Sequence, residues 1–235
     1  MAARRITVLT GAGISAESGL GTFRDKDGLW TKYPLEEVAT PEGFARDPAR
    51  VHAFYNARRA NAAGAQPNAA HLALARLQRA EGIDLVIVTQ NVDGLHEAAG
   101  ATAVHMHGEL SRAYCGACEH RWDAPAVMSP EMPCPACGAP ATRPDIVWFG
   151  EIPYHMDAIH QRLSQTELFA AIGTSGQVYP AAGFVQIARQ YGAETVEINL
   201  EQTDVAWDFD DHLVGPASQM VPAWVASLIG EDPGR

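Results

Sequence analysis

The sequence predicts an α/β fold, a doubly wound, parallel, Rossmann-like sheet accompanied by a smaller second lobe. Short apolar strands alternate with helical segments, a glycine-rich turn follows the first strand, and four cysteines form two Cys-x-x-Cys pairs. Strands that alternate with helices form parallel sheets, which bind ligands at the carboxyl ends of their strands. At 235 residues, the chain can bury one substantial core and a small additional lobe.

Four segments have the pattern of buried strands, because each is short, apolar on both faces and closed by small or polar residues. They are Arg5–Thr10, Asp84–Thr89, Leu168–Ile172 and Thr195–Asn199. Helices are predicted between these strands at Ala69–Glu81, Tyr154–Gln165 and Ala181–Tyr191. The residues that follow the strands are therefore expected to share one edge of the sheet and to form the ligand site.

Two segments interrupt this alternation of strands and helices. Residues 31–66 contain a long predicted helix, Arg46–Ala63, and residues 109–147 contain the cysteines, several prolines and short turns. Together they are predicted to form the smaller lobe, which packs over the ligand edge of the sheet. The larger Rossmann-like domain then comprises three pieces of the chain, residues 1–30, 67–108 and 148–235.

The charge of the chain disfavours whole classes of partner. Acidic residues number 28 against 17 basic ones, so the net charge is −11. Such a chain lacks the positive surface of a general nucleic-acid binder and would repel anionic membranes. The apolar run Ile6–Leu9 is too short for a signal peptide, and Leu85–Val88 is far too short to span a membrane. We expect a cytoplasmic protein with no nucleic-acid or membrane partner.

The four cysteines, Cys115, Cys118, Cys134 and Cys137, predict a zinc ribbon in the smaller lobe. Each Cys-x-x-Cys pair places two thiolates on one turn, and two such turns complete a tetrahedron around one Zn²⁺. Because the protein would fill all four positions, no water could bind and the metal would be structural. Redox pairs or free thiols are the alternative, but paired cysteines in a reducing compartment more often hold metal.

The turn after the first strand, Gly11-Ala-Gly-Ile-Ser-Ala16, matches the G-x-G-x-x-[GA] pattern. Its glycines permit a tight turn and close approach to a pyrophosphate, and the following helix offers N–H donors. Glycine turns are common after strands, so the pattern alone leaves dinucleotide binding open. The acidic ribose ligand that usually follows about 20 residues later is not found, which disfavours a plain hydride-transfer dehydrogenase.

Polar residues follow the second predicted strand in the run Gln90–His96, where they can reach a ribose or a nicotinamide amide. Further along, His105 and His107 stand directly before Gly108. A lone histidine is usually structural, but two beside a glycine favour a catalytic base, since imidazole titrates near neutral pH. The residues alone leave open which of the two would serve.

Tyr55 and Arg58 lie three residues apart on the predicted helix of the smaller lobe, so they share one face. A guanidinium beside a hydroxyl can bind a carboxylate through two hydrogen bonds. From the spacing alone, a solvated helix face is the simpler interpretation.

Taken together, these strings resemble the sirtuin family of NAD-dependent protein deacylases. The matches follow the family's order and extend from residue 11 to about residue 222. They are Gly11-Ala-Gly-Ile-Ser-Ala-Glu-Ser-Gly19, Thr22-Phe-Arg24, Thr89-Gln-Asn-Val-Asp-Gly-Leu-His96, His107-Gly108, the four cysteines, Val147-Trp-Phe-Gly-Glu151, Gly173-Thr-Ser175, Val178-Tyr-Pro-Ala181 and Ile198-Asn-Leu-Glu201. Tyr55 and Arg58 resemble the pair that marks the bacterial class III branch, whose members favour negatively charged acyl groups such as succinyl and malonyl.

The resemblance implies NAD as co-substrate, one structural Zn²⁺, and acylated lysine in a protein or peptide as the partner of a monomeric enzyme. In this family the acyl-lysine carbonyl oxygen attacks C1′ of the nicotinamide ribose and expels nicotinamide. His107 is then implied as the base toward a ribose hydroxyl, with Asn91 and Asp93 in the same catalytic set. The products are free lysine, nicotinamide and an O-acyl-ADP-ribose, with succinyl, malonyl or acetyl as the acyl group.

The resemblance also implies which residues contact each substrate. Those implied to bind NAD are Gly11, Ala12, Gly13, Ala16, Glu17, Thr22, Phe23, Arg24, Trp30, Gln90, Asn91, Val92, Asp93, Gly173, Thr174, Ser175, Asn199, Leu200, Glu201 and Ala217. Those implied to bind the acylated peptide are Tyr55, Arg58, Val147, Phe149, Gly150, Glu151, Val178 and Tyr179. The peptide is expected to lie as an added strand between residues 147–151 and 177–180.

Two features of the sequence are not explained by the resemblance. Gly21 stands where many relatives have proline, and the resemblance gives Asp145 no role. A mono-ADP-ribosyltransferase on the same fold and a non-catalytic zinc-ribbon adaptor are the alternative functions.

Overall fold

The computed structural model describes residues 3–21 and 33–231, which form a parallel sheet flanked by helices and a small antiparallel sheet. The strands are β1 (Arg4–Thr10), β2 (Ile83–Thr89), β3 (Ala103–His105), β4 (Gly108–Cys115), β5 (Arg121–Asp123), β6 (Thr142–Ile146), β7 (Leu168–Ile172), β8 (Glu194–Asn199) and β9 (Asp211–Val214). The helices are α1 (Gly13–Ala16), α2 (Leu35–Val38), α3 (Pro41–Arg46), α4 (Pro48–Ala63), α5 (Ala69–Gln78), α6 (Leu95–Ala98), α7 (Met156–Leu163), α8 (Phe184–Gln190) and α9 (Ala217–Ile229).

The large sheet has the strand order β3-β2-β1-β7-β8-β9, and its strand pairs are parallel. The chain builds outward from β1 to β3 and then returns to place β7 on the other side of β1. Strand order therefore reverses between β1 and β7, and ligands of such sheets bind outside the carboxyl ends at this point. Gly11 follows β1 and Gly173 follows β7, so the two turns meet there.

Helices cover both faces of the large sheet, which confirms the doubly wound α/β prediction. On one face, Leu74 of α5 and Val225 of α9 are buried against Ile6, Ile87 and Ile198 of the sheet. On the other face, a second cluster includes the buried side chains Leu163 of α7, Phe184 of α8, and Leu9 and Phe169 of the sheet. Strands buried on both sides explain the continuous apolar runs in their sequences.

The small sheet has the order β5-β4-β6 with antiparallel pairing, and the cysteine pairs lie in its turns. A third buried cluster joins Phe54 and Tyr55 of α4 to Leu110 of β4 and Ile146 of β6. This cluster bridges the two segments assigned to the smaller lobe; the exact domain limits stay a prediction.

Several predicted boundaries differ from the structure, each for a local reason. The helix predicted over Tyr154–Gln165 begins only at Met156, because His155 has a φ of +62° that no helix accommodates. Ala181–Tyr191 divides into a 3₁₀ turn, Ala181–Gly183, and α8. The edge strands β3 and β9 were not predicted, since three or four residues are too few for a period to show.

Smaller shifts affect other elements. The helix predicted to reach Glu81 ends at Gln78, and the one predicted from Arg46 begins at Pro48, where Asp47 caps it by accepting the Arg50 N–H. Within residues 3–21 and 33–231, the helices are all too short or too polar to cross a bilayer.

Candidate functional site

Asn91, directly after β2, is held in place by the glycine turn after β1. Its amide nitrogen donates to the Gly11 carbonyl and to the Ser15 hydroxyl, each at 3.1 Å. The Ser15 hydroxyl donates in turn to a carboxylate oxygen of Asp93 at 3.1 Å. The side chains of Asn91 and Asp93 are therefore tied to one hydroxyl at the point where strand order reverses.

Asp93 is mostly buried, and burial raises the pKa of its carboxyl above the ordinary value. The Leu95 N–H and the Ser15 hydroxyl, together with His105 and Arg58, oppose this rise by favouring the charged form. The pKa of Asp93 is therefore set by several groups of the site at once.

The contacts of the two candidate histidines distinguish between them. His105 is engaged at both ring nitrogens, with the Asn91 carbonyl 3.1 Å from Nδ1 and a Glu97 carboxylate oxygen 3.3 Å from Nε2. His107 has the Gln90 carbonyl 3.2 Å from Nδ1. A carbonyl only accepts, so Nδ1–H of His107 must donate to it, and Nε2 of the neutral ring is left as the basic nitrogen.

The pKa values of the two imidazoles also shift in opposite directions. Burial would lower the pKa of His105, but the Glu97 carboxylate raises it above its ordinary value. Burial lowers the pKa of His107, and the hydrogen bond to Gln90 offsets only part of the effect. His107 is accordingly neutral near neutral pH, as a general base must be, whereas His105 is a structural partner of Glu97.

A second pair of histidines, His71 and His96, is buried beneath the glycine turn. Their ring centroids are 5.1 Å apart, Nε2 of His96 lies 3.0 Å from the Thr10 hydroxyl, and Nε2 of His71 lies 3.5 Å from the Ser15 hydroxyl. Burial lowers the pKa of His71 to about 4 and the pKa of His96 to about 3. Both rings are thus uncharged near neutral pH and pack against the buried side of the glycine turn.

The backbone of the turn after β7 packs closely against Gly11 and Gly13 of the glycine turn. A Cβ on Gly11 would lie 2.8 Å from the Gly173 carbonyl oxygen, and one on Gly13 would lie 2.7 Å from the Gly173 Cα. The predicted N–H donors of the first helical turn are already used, because Gly13, Ile14 and Ser15 donate to backbone carbonyls. Binding of a pyrophosphate by this turn stays a prediction.

Short polar contacts order the turns after β7 and β8 and the start of α9. Asn199, after β8, donates from its amide to the Thr174 carbonyl at 2.7 Å, while its own carbonyl accepts the Gly215 N–H at 2.9 Å. Both carboxylate oxygens of Glu17 accept from Ser218, one from the N–H at 2.9 Å and one from the hydroxyl at 2.6 Å. Glu17 thus ties the glycine turn to the first turn of α9, and the direct NAD contact implied for it stays a prediction.

Several residues implied to bind NAD, Thr22, Phe23, Arg24 and Trp30, lie outside the described residues. The other implied NAD residues lie on the glycine turn, on the segment after β2, or on the turns after β7, β8 and β9. The fold therefore brings the described part of this set to one edge of the sheet, as predicted from the chain order.

Tyr55 and Arg58 lie on α4 beside the Phe54 ring, with Tyr55 buried and Arg58 partly buried. The Arg58 guanidinium carbon is 5.8 Å from the Tyr55 ring centroid and 5.9 Å from that of Phe54. Burial lowers the pKa of Arg58, while Tyr55 and Asp93 oppose this effect. Burial also raises the pKa of the Tyr55 hydroxyl. The solvated-face interpretation is wrong for Tyr55, which is 1% exposed.

The two segments expected to flank a peptide are partly exposed, as a docking strand requires. Phe149 is 50% exposed and Tyr179 is 75% exposed. The Val147 N–H donates to the His107 carbonyl at 2.9 Å, so the segment after β6 is fixed beside the candidate base. Whether a peptide adds a strand here stays a prediction.

The cysteine cluster passes a geometric test for zinc. The Sγ atoms of Cys115, Cys118, Cys134 and Cys137 lie within 4.8 Å of one another, and two of the pairs are 3.7 Å apart. A tetrahedron with Zn–S bonds of about 2.3 Å has sulfur–sulfur edges of about 3.8 Å, whereas a disulfide would need about 2 Å. Four thiolates at this spacing fit a closed, structural Zn²⁺ site and not two redox disulfides.

Asp145, to which the resemblance gives no role, joins the smaller lobe to the segment after β6. Its carboxylate accepts from the Tyr154 hydroxyl at 2.8 Å and from Nε of Arg121 at 3.1 Å. Arg121 also lies over the Tyr114 ring, with its guanidinium carbon 4.7 Å from the ring centroid. Asp145 is therefore a structural anchor.

Sequence reasoning missed some residues of the site. The sequence patterns assign no role to four residues of the site, Thr10, Ser15, Trp148 and Ser218. Their hydroxyl and indole groups form hydrogen bonds with partners that are distant in sequence, and no spacing reveals such contacts.

A protein-family model described as the Sir2 family matches residues 11–180. A relative in Caulobacter vibrioides, described as an NAD-dependent protein deacylase, is 58% identical over 230 residues, which cover 96% of this chain and 97% of that protein. A solved Sir2 homologue in complex with NAD matches with a TM-score of 0.88 and 38% identity, covering 95% of this chain and 88% of that one. A Sir2 structure bound to acetylated peptide matches with a TM-score of 0.82 and 27% identity, covering 98% of this chain and 95% of that one.

Proposed function

The chain belongs to the Sir2 family, and from this we propose that it removes acyl groups from protein lysines with NAD as co-substrate. The observation that carries the proposal is the neutral imidazole of His107, whose Nδ1 is held by the Gln90 carbonyl after β2 and whose Nε2 is left basic. The relative described as an NAD-dependent protein deacylase and the solved complexes with NAD and acetylated peptide support it.

NAD supplies a glycosidic bond whose cleavage drives the otherwise difficult cleavage of the lysine amide. The chain supplies position and one proton acceptor. Asn91 and Asp93 share the Ser15 hydroxyl and are proposed to hold the nicotinamide end, because their side chains are fixed before any ligand binds. His107 is proposed to take a proton at Nε2 from a ribose hydroxyl and to retain Nδ1–H on the Gln90 carbonyl, which keeps the ring in the correct tautomer.

For the acyl group, we propose a preference for acidic acyl chains such as succinyl and malonyl. Arg58 is a partly buried cation whose desolvation is unfavourable, and a carboxylate at the end of the acyl chain would stabilise its charge. The hydroxyl of Tyr55, one turn earlier on α4, can donate to the same carboxylate. An acetyl group offers no charge to this pocket and gains nothing from it.

The test compares kcat/KM for matched succinyl- and acetyl-lysine peptides with NAD present and absent. Arg58→Met is expected to lower the succinyl value by roughly 10- to 100-fold, since a hydrogen bond to a charged group contributes about 1.5–3 kcal/mol, and to leave the acetyl value largely unchanged. Arg59→Met is the matched control on the same helix, because Arg59 contacts the Leu110 carbonyl and Asn56 instead. Equal loss of both activities in Arg58→Met would contradict the acidic-acyl pocket.

Mass spectrometry of the same reactions separates the alternative functions. A deacylase removes the acyl mass from the peptide, a mono-ADP-ribosyltransferase adds ADP-ribose to a protein, and an adaptor does neither. A folded His107→Tyr variant should lose turnover with both peptides, and parent-rate turnover would remove His107 from the mechanism. The expected monomeric state and cytoplasmic location stay predictions.

A further inference from the structure

The indole of Trp148 contacts the hydroxyl of Tyr55 inside the acyl pocket proposed above. Nε1 of Trp148 lies 2.9 Å from the Tyr55 oxygen, and both residues are buried, at 2% and 1% exposure. An indole N–H can donate and cannot accept. The direction of this hydrogen bond is therefore fixed by chemistry, with Trp148 as donor and the tyrosine oxygen as acceptor.

This direction determines where the Tyr55 hydroxyl hydrogen can point. Because the indole N–H occupies one acceptor position on the oxygen, the hydroxyl hydrogen must turn away from Trp148. Within residues 3–21 and 33–231, the hydrogen bond accepted from Trp148 is the one hydrogen bond that the Tyr55 hydroxyl makes. A hydroxyl that already accepts one hydrogen bond is polarised and becomes a better donor. The pocket thus holds a donor directed away from the protein's own acceptors.

Trp148 is itself fixed by a charged pair, Arg143 and Glu151. The guanidinium carbon of Arg143, on β6, lies 3.5 Å from a Trp148 ring centroid. Arg143 donates to both carboxylate oxygens of Glu151, at 2.7 and 2.8 Å. One of these oxygens also accepts the backbone N–H of Trp148 at 2.8 Å. Burial would raise the pKa of Glu151, but the bonds from Arg143 and Trp148 hold it below its ordinary value, so the carboxylate stays charged.

We infer that Trp148 is a positioning residue for acyl selectivity, which aims the Tyr55 hydroxyl hydrogen at the carboxylate of an acidic acyl group. The inference rests on the proposed function, since it needs the acyl chain to enter beside Tyr55 and Arg58. It assigns no contact with substrate to Trp148 itself. Loss of the indole N–H should therefore weaken recognition of the acyl carboxylate and leave the chemical step intact.

The test is a double-mutant cycle on the ratio of succinyl to acetyl kcat/KM. Trp148→Phe keeps an aromatic ring and removes the N–H, and it is expected to lower the ratio by about fivefold to tenfold, mostly through the succinyl KM. Tyr55→Phe is expected to lower the ratio at least as much. In the Tyr55→Phe background, Trp148→Phe should have no further effect on the ratio, because the hydroxyl through which it acts is gone.

A control variant separates positioning from general loss of packing. Trp224→Phe makes the same change in α9, which packs on the large sheet away from α4, and it should leave the ratio unchanged. Zinc content and thermal midpoints are measured on all variants. If Trp148→Phe lowers the ratio equally with and without the Tyr55 hydroxyl, Trp148 acts through packing and the inference is overturned.

The outcome for Arg58→Met distinguishes this inference from the proposed function. If Arg58→Met leaves the ratio unchanged, the acidic-acyl pocket fails and the inference fails with it. If Arg58→Met lowers the ratio and Trp148→Phe does not, the pocket stands and only the inference about Trp148 is overturned.

Discussion

Gly108, directly after the proposed base, is the position where one added methyl group should damage the site most. Its φ is +79°, and an L-residue with a side chain costs about 1–2 kcal/mol in this left-handed region. A Cβ at this position would also lie 2.0 Å from the carbonyl oxygen of Asp145. Gly108 pairs with Ile146 across β4 and β6, so neither backbone can withdraw without disturbing the small sheet.

The expected loss of stability in Gly108→Ala is the sum of these two effects. Forced overpacking costs about 1–3 kcal/mol, and adding the conformational cost gives an expected loss of about 2–5 kcal/mol in the free energy of unfolding of Gly108→Ala. Gly192→Ala is the matched control, because Gly192 has a φ of +85° but nothing within 4 Å of an added Cβ. Gly192→Ala should lose only the conformational part, about 1–2 kcal/mol.

The assay is urea unfolding with zinc present, followed by tryptophan fluorescence, and kcat for an acetyl peptide where both variants are folded. Gly108→Ala should lose more stability than Gly192→Ala and should also lose kcat, because the clash displaces the neighbouring His107. Equal losses of stability in the two variants would refute the argument from the Asp145 carbonyl.

Two further predictions concern protons and metal. Burial lowers the pKa of His71 to about 4 and that of His96 to about 3, so the unfolded chain binds more protons than the folded chain below pH 6.5. The contribution of the two neutral rings to the free energy of unfolding is complete above pH 6.5 and falls as the pH drops toward 4. On going from pH 7 to pH 5.5, the free energy of unfolding should fall by about 2 kcal/mol because of this pair, as measured by urea unfolding. His71→Gln should remove about half of that decrease. Cys118→Ser should reduce bound zinc below one per chain in atomic absorption; full retention of zinc would contradict a four-cysteine site.

The sequence revealed the central strands because their environment is uniform. β1, β2, β7 and β8 lie inside a sheet covered on both faces, so most of their residues are apolar. The edge strands β3 and β9 have one neighbour each and few residues, and β9 is largely unburied. A pattern that depends on burial cannot identify strands that are scarcely buried.

Some residues of the candidate site could likewise be predicted from the sequence, and others could not. The zinc ligands could be predicted because two Cys-x-x-Cys turns encode their geometry locally. The choice between His105 and His107 depends on the carbonyls and the carboxylate that face each ring, which only the fold supplies. The link between Trp148 and Tyr55 joins residues 93 positions apart, and no sequence spacing predicts such a contact.

The position of β1 between β2 and β7 has a consequence for how the protein is made. The second neighbour of β1 is contributed by residues 168–172, and the glycine turn is fastened by Ser218, 201 residues after Glu17. At a synthesis rate of about 5–20 residues per second, the residues between β1 and β7 take roughly 8–30 seconds to synthesise. One edge of β1 stays uncovered until β7 has been made. During that interval it is an aggregation hazard, and a nascent chain halted before β7 should need chaperones more than the finished protein does.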